Sequence, residues 1–277
     1  MVSEEIIQLG NLPSELIDAA MCEIRPYIVG FCTRKETPSG SVPQLQGSGT
    51  LIQVAGRYAI LTAEHVVREL PKTGRLGLLL QPSRHDFTID TNGLRYVSIA
   101  RGDIDSEGPD LGAVILSSET ASSIGAIKQF WNLTSHRDAM LQNPPILNSG
   151  FWIANGFPDT EKAIEADTED GSRVMRYMNF NGVGGPREPW VVGDHDYYSF
   201  PVVPHDLYGI PRDFGGMSGG GLWQVEIRRP SGGEFSVVRK HLSGVVFYQV
   251  RTAEDVALIC HGRKSVYDFA LDAIARG

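Results

Sequence analysis

The hydrophobic pattern comes in short strand-like runs broken by turn residues. "YIVGFCTRK", "GSGTLIQVAG" and "RYAILTAEHVV" read as strands, the last two parted by a turn near Gly56, and "RLGLLLQ", "LRYVSIAR" and "DLGAVIL" follow. Six strands by residue 116 suffice for a closed barrel or a sandwich. From 117 to about 147 the rhythm is lost, with Ser/Thr and Pro-Pro punctuation that predicts a crossover between two halves. A second set then appears in "FWIANGFP", "VMRYMNFNGV", "YYSFPVV", "GGLWQVEIRR", "FSVVRKHLSGVVFYQV" and "VALICHG", with "RRPSGGEF" as a turn between two of them. Two stretches carry a helical period instead. "PSELIDAAMCEI", from Pro13, has an acidic first turn that suits the helix dipole. "SVYDFALDAIARG" puts Val266, Phe269, Ala270, Ala273 and Ile274 on one face, with Ser265 and Asp268 as a capping-box-like start. The pattern predicts two antiparallel β-units flanked by short helices.

Composition agrees. The 31 glycines and 16 prolines favour short strands joined by turns. A net charge of -8 offers no basic footprint for nucleic acid or an anionic membrane, and weakly favours cationic partners. No run approaches the roughly 18 apolar residues of a membrane span, and "MVSEEIIQLGNLPSEL" does not read as a secretory signal, so a cytoplasmic protein is expected. Cys22, Cys32 and Cys260 are odd in number and form no CxxC, which predicts three reduced, buried thiols. Cys260 and His261 are adjacent on a strand, so they point to opposite faces and do not share a metal. "EKAIEADTEDGSR", with Asp167, Glu169 and Asp170, lacks the ligand alternation of a calcium loop and reads as a solvated loop. Asp194, His195 and Asp196 read as an ordinary loop and strand start. Neither a metal nor a cofactor is expected.

Candidate chemistry centres on "RDFGGMSGGGLW", where two glycines precede and three follow, with Met217 between, around Ser218. A serine hydroxyl is a weak nucleophile at neutral pH unless a base takes its proton. Of seven histidines, His65 alone sits where a strand runs into a short helical turn, anchored yet exposed. A third group must orient its imidazole. Asp110, heading the apolar run "DLGAVIL", is the best placed carboxylate, since Asp103 and Asp105 lie in the looser "RGDIDSEGP".

The blocks "GSGTLI…AILTAEHV", "DLGAVIL", "GGMSGGG" and "LSGVVFYQ", covering residues 47 to about 250, resemble the chymotrypsin/trypsin-like serine peptidase superfamily in its cysteine-poor bacterial form. The chain order His65, Asp110, Ser218 is the one that superfamily uses. The resemblance implies an all-β fold of two antiparallel six-stranded β-barrels with a short N-terminal helix and a C-terminal helix. The expected divisions are a helical cap over 1–26, a first barrel over 27–118, a crossover over 119–147, a second barrel over 148–262 and a helix over 263–277. It implies His65 as base, Asp110 as orienting carboxylate, Ser218 as nucleophile, and the N–H groups of Gly216 and Ser218 as an oxyanion hole. Each such donor is worth about 3 to 4 kcal/mol of transition-state stabilisation. Gly219 and Gly220 are expected to let the next strand pass beneath His65 without a clash. Phe247, Tyr248 and Gln249 match the strand that pairs with an extended substrate, although the aromatics fit a core equally well. The pocket base falls near Arg212, suited to an acidic side chain, or Asp213, suited to a basic one, and the choice stays open.

Two positions depart from the family. Glu64 precedes the histidine where Ala or Gly is usual, and is expected to face solvent. Met217 replaces the usual Asp or Asn and cannot pair with a new N-terminus, which leaves the loop to be ordered by packing, a partner or substrate. The implied activity is a serine endopeptidase acting on protein or peptide, with a regulatory protein as a further partner. The alternative is a catalytically silent peptide-binding or regulatory module. An esterase would need a strand-to-helix elbow at the serine, whereas Ser218 leads into strand-like "GLWQV".

Overall fold

The computed structural model describes residues 12–38, 40–80, 87–102, 108–167, 173–202, 211, 213–228, 236–251 and 256–277. Helix α1 (Ser14–Ile24) buries Leu16, Ala20 and Ile24, an i, i+4, i+8 stripe. Seven strands follow: β1 (Ile28–Thr37), β2 (Gly40–Val54), β3 (Arg57–Thr62), β4 (Arg75–Leu79), β5 (Phe87–Asp90), β6 (Arg95–Arg101) and β7 (Asp110–Ile115), with α2 (Glu64–Glu69) directly after β3. They form an antiparallel sheet in the order β5-β4-β1-β2-β3-β7-β6. The connecting region holds α3 (Ser118–Gly125), β8 (Trp131–Asn132), which pairs in parallel with β2, and α4 (Leu133–Leu141).

The second half contains β9 (Phe151–Gly156), β10 (Lys162–Asp167), β11 (Arg173–Tyr177), β12 (Phe180–Gly184), β13 (Trp190–Val192), β14 (His195–Val202), β15 (Gly221–Arg228), β16 (Ser236–Arg251) and β17 (Val256–His261). Seven of these make a second antiparallel sheet, β12-β9-β15-β16-β17-β14-β13, while β10 and β11 form a separate ribbon. A π-helical segment, Ser265–Ala270, runs into α5 (Leu271–Arg276).

The mostly-β outline with terminal helices matches the expectation; two six-stranded closed barrels do not. Among the described residues the first sheet ends at β5 and β6 and the second at β12 and β13, so neither closes on itself. Part of the added pairing comes from polar stretches. Residues 40–46 extend β2 into a long hairpin with β1, and Lys162–Asp167, expected as a solvated loop, pairs with Arg173–Tyr177. Backbone pairing does not require apolar alternation, so such strands leave little pattern.

The crossover is likewise more ordered than its composition suggests. Ser117 caps α3 by accepting from Thr120 N (3.2 Å), and Asn132 caps α4 by accepting from Ser135 N (3.0 Å). At the C-terminal helix the cap comes from elsewhere in the fold: Asp196 accepts the amides of Lys264 (3.0 Å) and Ser265 (2.8 Å), rather than Ser265 and Asp268 capping each other. Asp268 pairs with Arg137 instead (2.5 Å).

The two sheets share one core. Leu61, Leu111 and Ala113 of the first pack in the same cluster as Ile153, Trp223 and Val245 of the second, together with Val266, Tyr267 and Ile274 of the C-terminal helix. The buried Tyr267 hydroxyl donates to Leu242 O (2.9 Å) and accepts from Trp131 Nε1 (3.0 Å), so this helix ties both halves. Of the three cysteines only Cys260 is buried; Cys22 is exposed on α1, and Cys32 is half-buried against the cluster of Ile28, Leu45, Phe157 and Tyr177. Among the described residues no helix is long and apolar enough to cross a membrane.

Candidate active site

Four segments converge where the sheets meet: the junction of β3 with α2, the start of β7, the glycine-rich loop before β15, and the middle of β16. They enclose a cavity of about 380 Å³ whose lining includes His65, Asp110, Ser218, Phe247, Tyr248 and Gln249.

His65 lies in the first turn of α2, where amides have no helical acceptor. Its own N–H donates to Asp110 Oδ1 (2.9 Å), and its ring Nδ1 is joined to Asp110 Oδ2 by a short hydrogen bond. One carboxylate therefore fixes both the backbone and the imidazole of His65, and leaves Nε2 as the ring nitrogen free to face the cavity. Burial pushes the Asp110 carboxyl upward, but the bonds from the His65 ring and from the amides of His65 and Glu64 outweigh it and hold the group below the usual aspartate range.

Ser218 sits in a loop fastened to the first sheet by Ser48. The Ser48 hydroxyl donates to Gly216 O (2.7 Å) and accepts from Phe157 N (2.8 Å), while Ser48 N donates to Ser218 O (2.8 Å). Gly216 has φ +92° and Gly219 φ +92°, the left-handed region that favours glycine. A Cβ on Gly219 would stand 2.0 Å from Ser48 O and 2.2 Å from Thr62 Oγ1. Gly219 is thus pressed against Ser48 and Thr62 of the first sheet, and Gly220 against Asn155 O on β9. Among the described residues neither Gly216 N nor Ser218 N has a hydrogen-bond acceptor, so both donors are available to an oxygen from outside.

Met217 is 1% exposed, packed with Trp152, Phe214, Leu222 and Val246 and seated against Gly156. Of the ways the loop could be ordered, apolar packing is the one found. Glu64 corrects another expectation: it is 4% exposed, not solvent-facing, because it turns inward to pair with Arg68 Nε at 2.9 Å and accepts from Ser98 Oγ at 3.4 Å.

The Ser218 hydroxyl donates to Phe247 O (3.2 Å); among the described residues no hydrogen bond joins it to His65. Phe247 is the bulged residue of β16, since the register with β17 steps from Val246↔Cys260 to Tyr248↔Ile259. Its carbonyl is therefore spared for the serine, while its ring is buried. Tyr248, at 42% exposed, stays open. Gln249 clamps the cavity mouth, accepting from Phe214 N (2.9 Å) and donating to Asp213 Oδ1 (3.0 Å). Asp213 does not line the cavity. Its Oδ1 also accepts Gly215 N (2.9 Å), and these bonds, the Gly215 amide foremost, hold its carboxyl below the usual range. Arg212 lies outside the described residues, as do Asp103, Asp105, Glu169 and Asp170.

Sequence reasoning missed Ser48, whose only signal was its place in "GSG", and His261, considered only as a partner for Cys260. Among the described residues no group of His, Cys, Asp and Glu is arranged to hold a metal.

Across most of its length the chain is structurally similar, at low identity, to solved structures of serine proteases. The thermostable serine protease AL20 from an extremophilic microorganism is 14% identical, with 90% of this chain and 98% of that one covered at a TM-score of 0.46. The Rv3671c protease of M. tuberculosis in its active form is 12% identical, with 98% and 93% covered at a TM-score of 0.48. No protein-family model and no curated protein sequence matches the chain.

Proposed function

We propose that this protein is a serine endopeptidase of trypsin-like type, whose catalytic site forms between two β-barrel-like halves over 27–118 and 148–262. The observation that carries the reading is the double hold of Asp110 on His65, at a cavity that Ser218 also lines. His65 Nε2 takes the Ser218 proton as the hydroxyl attacks a peptide carbonyl, and returns it to the departing amine; water then repeats both steps on the acyl-enzyme. Asp110 stays ionised and stabilises the imidazolium. The uncommitted amides of Gly216 and Ser218 receive the oxyanion. Attack begins with rotation of the hydroxyl from Phe247 O toward His65, a bond that commonly forms only once substrate is bound.

The substrate is an extended peptide. Among the described residues β15 pairs with β16 only up to Val245, so on that side Tyr248, Gln249 and Val250 have no strand partner there and offer an edge for strand addition. Phe214, Val246 and Leu258 give the cavity an apolar wall, and Asp213 is engaged at its rim, so an apolar side chain is preferred before the cleaved bond. A fluorophosphonate probe is expected to label Ser218, and a peptide library to be cleaved after apolar residues. Ser218→Ala is expected to abolish labelling and to lower hydrolysis by on the order of 10⁵-fold. Hydrolysis that survives the substitution defeats the mechanism. The orientation of the hydroxyl toward Phe247 O favours a second reading, a silent peptide-binding module; peptide binding without labelling would select it.

A further inference from the structure

We propose that His261 is a positioning residue: its imidazole, carried by the second sheet, holds the Asp110 main chain so that the carboxylate meets His65 in register. This rests on the reading of His65, Asp110 and Ser218 as a triad.

Asp110 is the first residue of β7, and a strand start is where a ladder frays. Its neighbour across the sheet is Arg101, the last residue of β6. The Asp110 N–H goes instead to His261 Nε2, 3.0 Å away on β17. To accept, Nε2 must carry no proton, so the ring is neutral and protonated at Nδ1. The ring is fully buried, with centroids 4.5 Å from Phe247 and 5.3 Å from Tyr197. Nδ1 is buried with no partner among the described residues, a feature that an interior tolerates only with a reason.

The chain before Asp110 is shaped to reach this ring. Gly108 has φ +126°, and a Cβ there would lie 2.9 Å from Tyr197 Cε1 and 3.2 Å from Phe247 Cζ. The backbone thus descends onto the aromatic pair that flanks His261, and Asp110 N meets Nε2 two residues later. The same ring packs on Phe247, whose carbonyl receives the Ser218 hydroxyl. His261 therefore touches supports of both ends of the triad and none of its reacting atoms. The titratable groups facing the ring are Asp110 from β7 and His195 and Tyr197 from β14. Burial holds its ionisation down to about 3, so it remains an acceptor across the neutral range.

The test begins with the unaltered protein. Two-bond ¹H–¹⁵N correlation is expected to show His261 as the neutral Nδ1–H tautomer, unchanged from about pH 8 to about pH 5. A proton on Nε2 overturns the proposal. His261→Leu, which removes the acceptor, is expected to broaden the downfield proton of the His65–Asp110 bond and to lower kcat on the order of 10²-fold with little change in KM. His261→Gln, which retains an acceptor oxygen, is expected to keep that signal and most of kcat. A folded His261→Leu with an unaltered signal overturns the proposal, and if it does not fold, the tautomer and His261→Gln decide. Should the unaltered protein prove inactive while the proton behaves as expected, the peptidase reading falls and the support of Asp110 stands.

Discussion

Met217 shows how one residue changes the way a loop is ordered. An acid at this place needs a buried cation; a thioether needs only a cavity of the right shape, which Gly156 supplies by lacking a side chain that would meet the sulfur at 2.6 Å. Met217→Ala is expected to cost about 2–5 kcal/mol by urea denaturation. By freeing the amides of 216 and 218 to wander it should lower kcat more than it raises KM. At this scale Ser218, His65 and Asp110 were legible, because a hydroxyl in a glycine loop, an imidazole at a strand end and a carboxylate heading an apolar strand are unusual placements. Glu64 was not legible, because its inward turn depends on Arg68 one helical turn on and Ser98 on another strand.

At the scale of elements, helices and strands differ in how much of themselves they display. Helix α1 was readable from its buried stripe, and the central strands from their apolar runs. α3 and α4 were hidden because their faces are narrow, although Ser117 and Asn132 marked their starts. Asn132→Ala is expected to destabilise the protein by about 1 kcal/mol, measured by thermal unfolding. The β16 bulge at Phe247 had no sequence signal, since it arises from pairing with β17. Gly219→Ala is expected to prevent a stable fold or to displace the Ser218 loop, because strain at positive φ is joined by contact with the Ser48 carbonyl. Hydrogen exchange of the loop amides would register either outcome.

For the whole molecule, the buried His261 and the half-buried Asp110 make stability depend on pH in the same direction. The fold keeps His261 neutral, with its ionisation lowered from 6.5 to about 3, so its contribution is complete above about 6.5 and is lost as pH falls toward 3. The fold keeps Asp110 ionised, with its ionisation also depressed, so its contribution is present above the ordinary aspartate range and disappears below it. Urea midpoints should therefore fall continuously from neutral to acid pH. His261→Gln should flatten the upper part of this slope and Asp110→Asn the lower part. A midpoint that is flat between neutral pH and about 4 would contradict the assignment.

The sequence by itself determined the strand-rich architecture and the terminal helices and singled out three chemically distinctive residues, because apolar pattern, turn residues and side-chain type are local properties. Only the tertiary structure decided that the sheets stay open among the described residues, that Ser48 fastens the loop, and that His261 grips the chain at Asp110. Those facts depend on which atoms of distant segments meet, and a hydrogen bond between such segments leaves no periodic trace in either.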